Sequence, residues 1–192
     1  MSLLTESLEK ISDWLRVNNP ESIADLRPGL GDSKIDRLIQ NLPFILPREI
    51  REVYRSSNGY LELEPNVFLH PPERAIELAD CNWMRGEKIS SSSHILPLLQ
   101  GNGKDFYYII CDRENDSPVW CVFVGEEPVM YTASLTSLIL TSWECYETGA
   151  YYMCFDEKAG DYHVEKDLEK FKKIFQRYNP EQMDTWRYLY ED

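Results

Sequence analysis

The sequence predicts an α+β fold: a mostly antiparallel sheet flanked by helices, with added N- and C-terminal helices. Three observations lead there. Apolar residues recur at helical spacing near both ends, at Leu4, Leu8, Ile11 and Leu15 and again at Leu168, Phe171, Phe175 and Tyr178. The middle of the chain carries the runs DFYYIICD, VWCVFV and VMYT, whose aromatic and β-branched residues suit a pleated, half-buried surface. Short connections separate these runs, and short connections join strands in antiparallel order.

Taken in order, the Leu4–Leu15 stripe predicts a helix over 3–18. Asn19-Pro20-Glu21 stops it and offers a capping residue and Pro at the first position of a short helix reaching Leu26. Pro28-Gly29 ends that segment, and Asp32 is placed to cap a further helix with Ile35, Leu38 and Ile39 on its buried side. After Leu46-Pro47 a helix presents Ile50, Val53 and Tyr54 on one face. Asn58-Gly59 closes it, because both residues tolerate positive φ. Two short strands are expected around Glu64-Pro65-Asn66. PPERAIELADCNWM reads as a helix with Ile76, Ala79 and Trp83 in register, and Ser90–Ser93 as a polar loop.

The meander DFYYIICD, VWCVFV, VMYT comes next. Ser134 then caps a helix carrying Leu135, Leu138, Ile139 and Ser142 and ending near Gly149. Tyr151–Phe155 reads as an edge strand or a packed loop. In the tail, Val164, Leu168, Phe171, Phe175 and Tyr178 form one stripe. Asn179-Pro180-Glu181 introduces a last helix bearing Met183, Trp186 and Tyr190. With 192 residues, 43% of them hydrophobic, the chain is long and apolar enough for one domain with a real core.

Charge narrows the function. Acids outnumber bases 33 to 20, for a formal charge of −13. Phosphate neutralisation needs the opposite sign, so direct nucleic-acid binding is disfavoured, and no polybasic membrane patch exists. A basic protein partner is favoured instead. The imbalance is concentrated: residues 1–104 hold 15 acids and 12 bases, 105–157 hold 10 acids and only Arg113, and 158–192 hold 8 acids and 7 bases.

The chemistry-bearing residues form no catalytic pattern. His70, His94 and His163 stand apart, so no metal and no cofactor is expected. Cys81, Cys111, Cys121, Cys145 and Cys154 are odd in number and lack a Cys-x-x-Cys pair, and they read as reduced, buried thiols of a cytoplasmic protein. MSLLTESLEK lacks the basic and apolar regions of a signal peptide, and no apolar run is long enough to span a membrane. Gly101-Asn102-Gly103-Lys104-Asp105 lacks phosphate-loop spacing and precedes a strand, so a hairpin-entry turn is expected there. Glu126 and Glu127 are adjacent on a turn and point apart. The remaining feature is acid beside aromatic rings. The expected contact face is Asp112, Glu114, Asp116, Glu126 and Glu127, with Trp120 or Tyr131 nearby.

PGLGDSKIDRLIQNLPFILPREIREVYRSSNGYL resembles the N-terminal signature of the SUKH superfamily, through Pro28, Gly29, Ile35, Leu38, Leu46, Pro47, Tyr54, Asn58 and Gly59. ILPLLQGNGKDFYYIICD is similar to the family's second element, through Ile95 to Leu98, Gly101, Gly103 and Asp112, and VWCVFV and ASLTSLIL to the strand and helix that follow. The resemblance covers about residues 20–150. The first helix and the stretch 156–192, expected as a helical extension, lie outside it. The central strands also carry more aromatic residues and cysteine than the family's pattern. The resemblance implies a non-enzymatic protein-binding domain. In bacteria that means an immunity protein neutralising a toxin domain, often a nuclease, by direct binding; the alternative is an intracellular regulatory or scaffold protein of the Smi/Knr type.

Overall fold

A computed structural model describes residues 2–40, 42–79, 81–101, 105–115 and 117–191. Its first helix, α1 (Leu3–Asn18), starts where the Ser2 hydroxyl accepts the Thr5 backbone N–H, and it buries Leu4, Leu8, Ile11 and Leu15 as the spacing requires. Residues 20–25 form turns, not the short helix expected. Only seven residues separate Pro20 from Pro28, and Pro28 disfavours helical backbone at Arg27, so a helix has little room to propagate. Helix α2 (Asp32–Ile39) is preceded by Gly31 at its N-cap, so Asp32 is its first residue and not its cap. The Asp32 carboxylate instead accepts from Arg55 at 2.6 Å, on helix α3 (Arg48–Ser56).

Pro28-Gly29 and Asn58-Gly59 meet in space. Pro28 bridges Ser57, the Asn58 N–H donates to the Arg27 carbonyl, and the Leu30 N–H donates to the Tyr54 carbonyl. A Cβ on Gly29 would overlap the Arg55 carbonyl oxygen, so only glycine lets the segment lie this close to the end of α3. Beyond it, Gly59 and Tyr60, rather than Asn58, hold positive φ, at 93° and 62°.

Strands β1 (Glu62–Glu64), β2 (Val67–Leu69), β3 (Ile95–Gln100), β4 (Asp105–Ile110), β5 (Val119–Phe123) and β6 (Val129–Thr132) form one antiparallel sheet in sequence order. Strand β3 contains Pro97, which lacks an N–H for the ladder. It is tolerated because a bulge against β4 falls between Pro97 and Leu99, and β2 stops pairing near Leu98. Between β2 and β3, helix α4 (Pro72–Leu78) ends earlier than the sequence predicts. Trp83 falls on a separate 3-10 turn, 48% exposed, instead of continuing the buried stripe.

Helix α5 (Leu135–Thr148) has a reciprocal cap between Ser134 and Ser137 and ends at Gly149 with φ 70°. Strands β7 (Tyr151–Asp156) and β8 (Asp161–Lys166) form a separate two-stranded hairpin. Val164 therefore belongs to a strand and not to the tail's helical stripe. Helices α6 (Leu168–Tyr178) and α7 (Met183–Tyr190) follow, with Leu168 exposed at the start of α6. Phe171, Ile174, Phe175 and Trp186 join α1, α5 and one sheet face in the main core. The other face carries Ile95, Tyr108 and Val122 and is covered by Met84 and Ile89. No described helix is long and apolar enough to cross a membrane.

Candidate functional site

The β4–β5–β6 register separates the acidic residues that the sequence groups together. Ile109 pairs with Val119 at one end of the β4–β5 ladder and Asp105 with Phe123 at the other. Asp112 and Glu114 lie beyond the first end, and Glu126 and Glu127 beyond the second. The five-residue strand between them spans about 16 Å. They form two separate patches, not one face.

At the first end, Asp112 accepts from the Ser93 hydroxyl at 2.6 Å and from the His94 N–H at 3.0 Å, holding the start of β3. The Glu114 backbone carbonyl accepts the Arg48 N–H, and its exposed carboxylate forms no ion pair among the described residues. Asp116 lies outside the described residues. At the second end, Glu126 accepts from the Tyr188 hydroxyl at 2.6 Å and Glu127 from the Glu87 N–H at 3.0 Å. Val124 and Tyr188 stand exposed there.

The two rings expected beside the acids differ in access. Trp120 is half-buried on the second sheet face, opposite Tyr108. Tyr131 is 0% exposed and takes no part in any surface. Its side chain points from β6 into the main core, because strand alternation sends it to the side opposite Met130.

Tyr131 belongs to a buried network invisible in the sequence. Its hydroxyl donates to Glu64 at 2.8 Å and lies 3.2 Å from the Tyr190 hydroxyl. Lys166 donates to the same carboxylate at 3.0 Å, with Glu64 2% exposed, and also to Tyr190. Its ammonium sits 4.3 Å from the Phe171 ring centroid and 4.9 Å from that of Tyr190. Burial disfavours this ammonium, but Glu64 and Tyr190 more than offset that, so its pKa lies above the ordinary lysine value. The group clamps β8 and α7 to β1 and β6. No local motif signals it, since its members come from separate elements.

Burial shifts several other titratable groups. Burial pushes the thiols of Cys111, Cys121 and Cys145 above the ordinary range, whereas a nucleophile needs the reverse. All five cysteines are free; Cys81 and Cys154 are half-buried rather than buried. Burial lowers His70 to about 4, and burial raises Glu62 to about 7 against the opposing Asn66 N–H and His163. Among the described residues, no three His, Cys, Asp or Glu side chains could hold a metal ion.

Several clefts flank α1, including one of about 440 Å³ between its first turns and α3, where Glu9, Arg48, Glu52 and Arg55 mix both charges. One of about 460 Å³ runs between α1 and the Pro28–Ser57 junction, with Glu9, Asp13, Arg16 and Arg27 on its walls. Mixed charge makes it a polar groove with no single preferred ligand. Another, of about 310 Å³, separates the end of α1 from the β7–β8 hairpin. Comparisons of the chain with protein-family models and with curated proteins return no match.

Proposed function

We propose that this protein is a non-enzymatic binding protein that neutralises a basic toxin domain, such as a nuclease, by direct contact. The reading rests on unbalanced charge. Among the described residues, Asp112, Glu114, Glu126, Glu127, Glu147, Asp156 and Glu157 form no ion pair with lysine or arginine. Among the described residues, Lys170, Lys172 and Arg187 of the tail pair with Asp167, Glu191 and Asp184 of the tail itself and Lys166 with Glu64, so that Arg177, on Glu144, is the one tail base paired with the 105–157 block. A surface of this kind attracts a cationic partner, speeds its encounter and discriminates against acidic ones. Tyr188, exposed beside Glu126, supplies contact area.

The resemblance to the SUKH superfamily supports the same class, and the junction of Pro28-Gly29 with Asn58-Gly59 supports an architectural role for its signature. Co-expression with candidate basic toxin domains, beginning with any encoded beside its own gene, provides the test. Co-purification of the two products and protection of the host are expected. An unprotected host and no complex, with endogenous regulatory proteins captured instead, would overturn the immunity reading in favour of a scaffold role.

A further inference from the structure

Hairpin β7–β8 is fixed at its base and bare at its tip. At the base, Tyr151 pairs with Lys166 within the buried network, and the Asp167 N–H donates to the Ala150 carbonyl. At the tip, Phe155 and Tyr162 face one another across the strands, their ring centroids 5.0 Å apart, yet they are 47% and 65% exposed. Both rings line the 310 Å³ cleft, together with Met153 from the hairpin and Asn19 and Glu21 beyond α1. Asp161 completes the rim.

The two rim carboxylates are available. Neither Glu21 nor Asp161 forms an ion pair or side-chain hydrogen bond among the described residues, and both are exposed. Asp156 is different: it accepts the Lys158 and Ala159 N–H groups and closes its own turn. The turn 156–161 is acidic overall, with Lys158 its single base.

We infer that this cleft binds an arginine side chain of a basic protein partner, the guanidinium lying against Phe155 and Tyr162 and donating to Glu21 and Asp161. Arginine fits better than lysine because its planar, weakly hydrated head stacks on rings while its fork of N–H groups reaches carboxylates. A volume near the lower end of ligand-site sizes suits one side chain, not a cofactor. Burying two exposed rings on docking adds a hydrophobic gain that solvent-facing carboxylates alone do not supply. The inference rests on the binding role proposed above and places its contact outside the two patches at the ends of β4 and β5.

The experiment titrates the full chain with a capped Gly-Arg-Gly-Arg-Gly peptide and follows the ring protons of Phe155 and Tyr162 by NMR. Saturable shifts at both rings are expected, weakened by salt. The matching citrulline peptide, with neutral side chains, should shift neither. Phe155→Ala and Tyr162→Ala should each weaken binding about two- to fivefold, and Glu21→Gln with Asp161→Asn about fivefold. All four positions are exposed, and unchanged circular dichroism checks that the variants fold. Equal binding of the citrulline peptide, or arginine-peptide shifts confined to the sheet ends, would overturn the inference. Capture of the toxin undiminished by Phe155→Ala/Tyr162→Ala would also refute the cleft while leaving the immunity role standing. Peptide binding at the tip without toxin capture would do the opposite.

Discussion

Replacing Lys166 by Met tests whether the buried network holds the C-terminal elements onto the sheet. The change keeps side-chain length and removes the ammonium. The Glu64 carboxylate, 2% exposed, is then left with the Tyr131 hydroxyl as its one side-chain donor among the described residues. Removing one partner of a buried pair costs about 3 to 5 kcal/mol because the other charge remains desolvated. The Lys166 side chain retains 15% exposure, so water relieves part of this and a loss of about 3 kcal/mol is expected. For a chain of this length that lowers Tm by roughly 6 to 12 °C. Removing both charges, in Lys166→Met/Glu64→Leu, should restore most of the loss, since well-packed apolar replacements of an ion pair are often neutral. Urea unfolding of the wild type, both single variants and the double variant closes the cycle. A Lys166→Met loss under about 1 kcal/mol, or a double variant as unstable as the summed singles, would refute the argument and mean that the two side chains act independently.

Glu62 and His70 set opposing pH dependences. Glu62 rises from its ordinary 4.5 to about 7, so it contributes stability fully below pH 4.5 that is lost as pH rises through 7, about 3 kcal/mol in total. His70 falls from 6.5 to about 4, so its contribution is present above pH 6.5 and is lost as pH falls through 4. Between pH 4.5 and 6.5 the two slopes offset each other. Glu62→Gln should expose the histidine slope as a steep rise in unfolding free energy across that window, and should exceed wild type at pH 8; equal profiles would count against both assignments. Gly29→Ala should destabilise by about 3 kcal/mol, because the new methyl overlaps the Arg55 carbonyl, and a loss below 1 kcal/mol in chemical denaturation would contradict the packing. With a thiol reagent, Cys111, Cys121 and Cys145 should react only on unfolding and Cys81 and Cys154 sooner; rapid labelling of all five in the native protein would disprove the burial.

Local signals located most of the helices and the central meander. The Leu4–Leu15 stripe, the Ile50–Tyr54 face and Ser134 with Gly149 each match an observed helix. Periodicity and caps act within a few residues, so they survive without knowledge of the fold. Strand β8, DYHVEK, carries little strand signal because it is polar and buries only Val164, and it exists as a strand through pairing with β7. Pro97 hid β3, since only the bulge and the end of β2 make a proline acceptable there. The candidate contact face was legible as composition but not as geometry. Asp112 and Glu126 are close in sequence, yet the ladder carries them to opposite ends, and Tyr131 turns inward.

The amino-acid order alone determined the secondary-structure class, the surplus of acid in residues 105–157 and the glycine-proline signature, because propensity, capping and formal charge are properties of short stretches. Tertiary structure decided which carboxylates stay unpaired, which rings face water and that Glu64 meets Lys166 across 102 positions. Those outcomes depend on strand register and on packing between distant elements, and no window of sequence contains both partners.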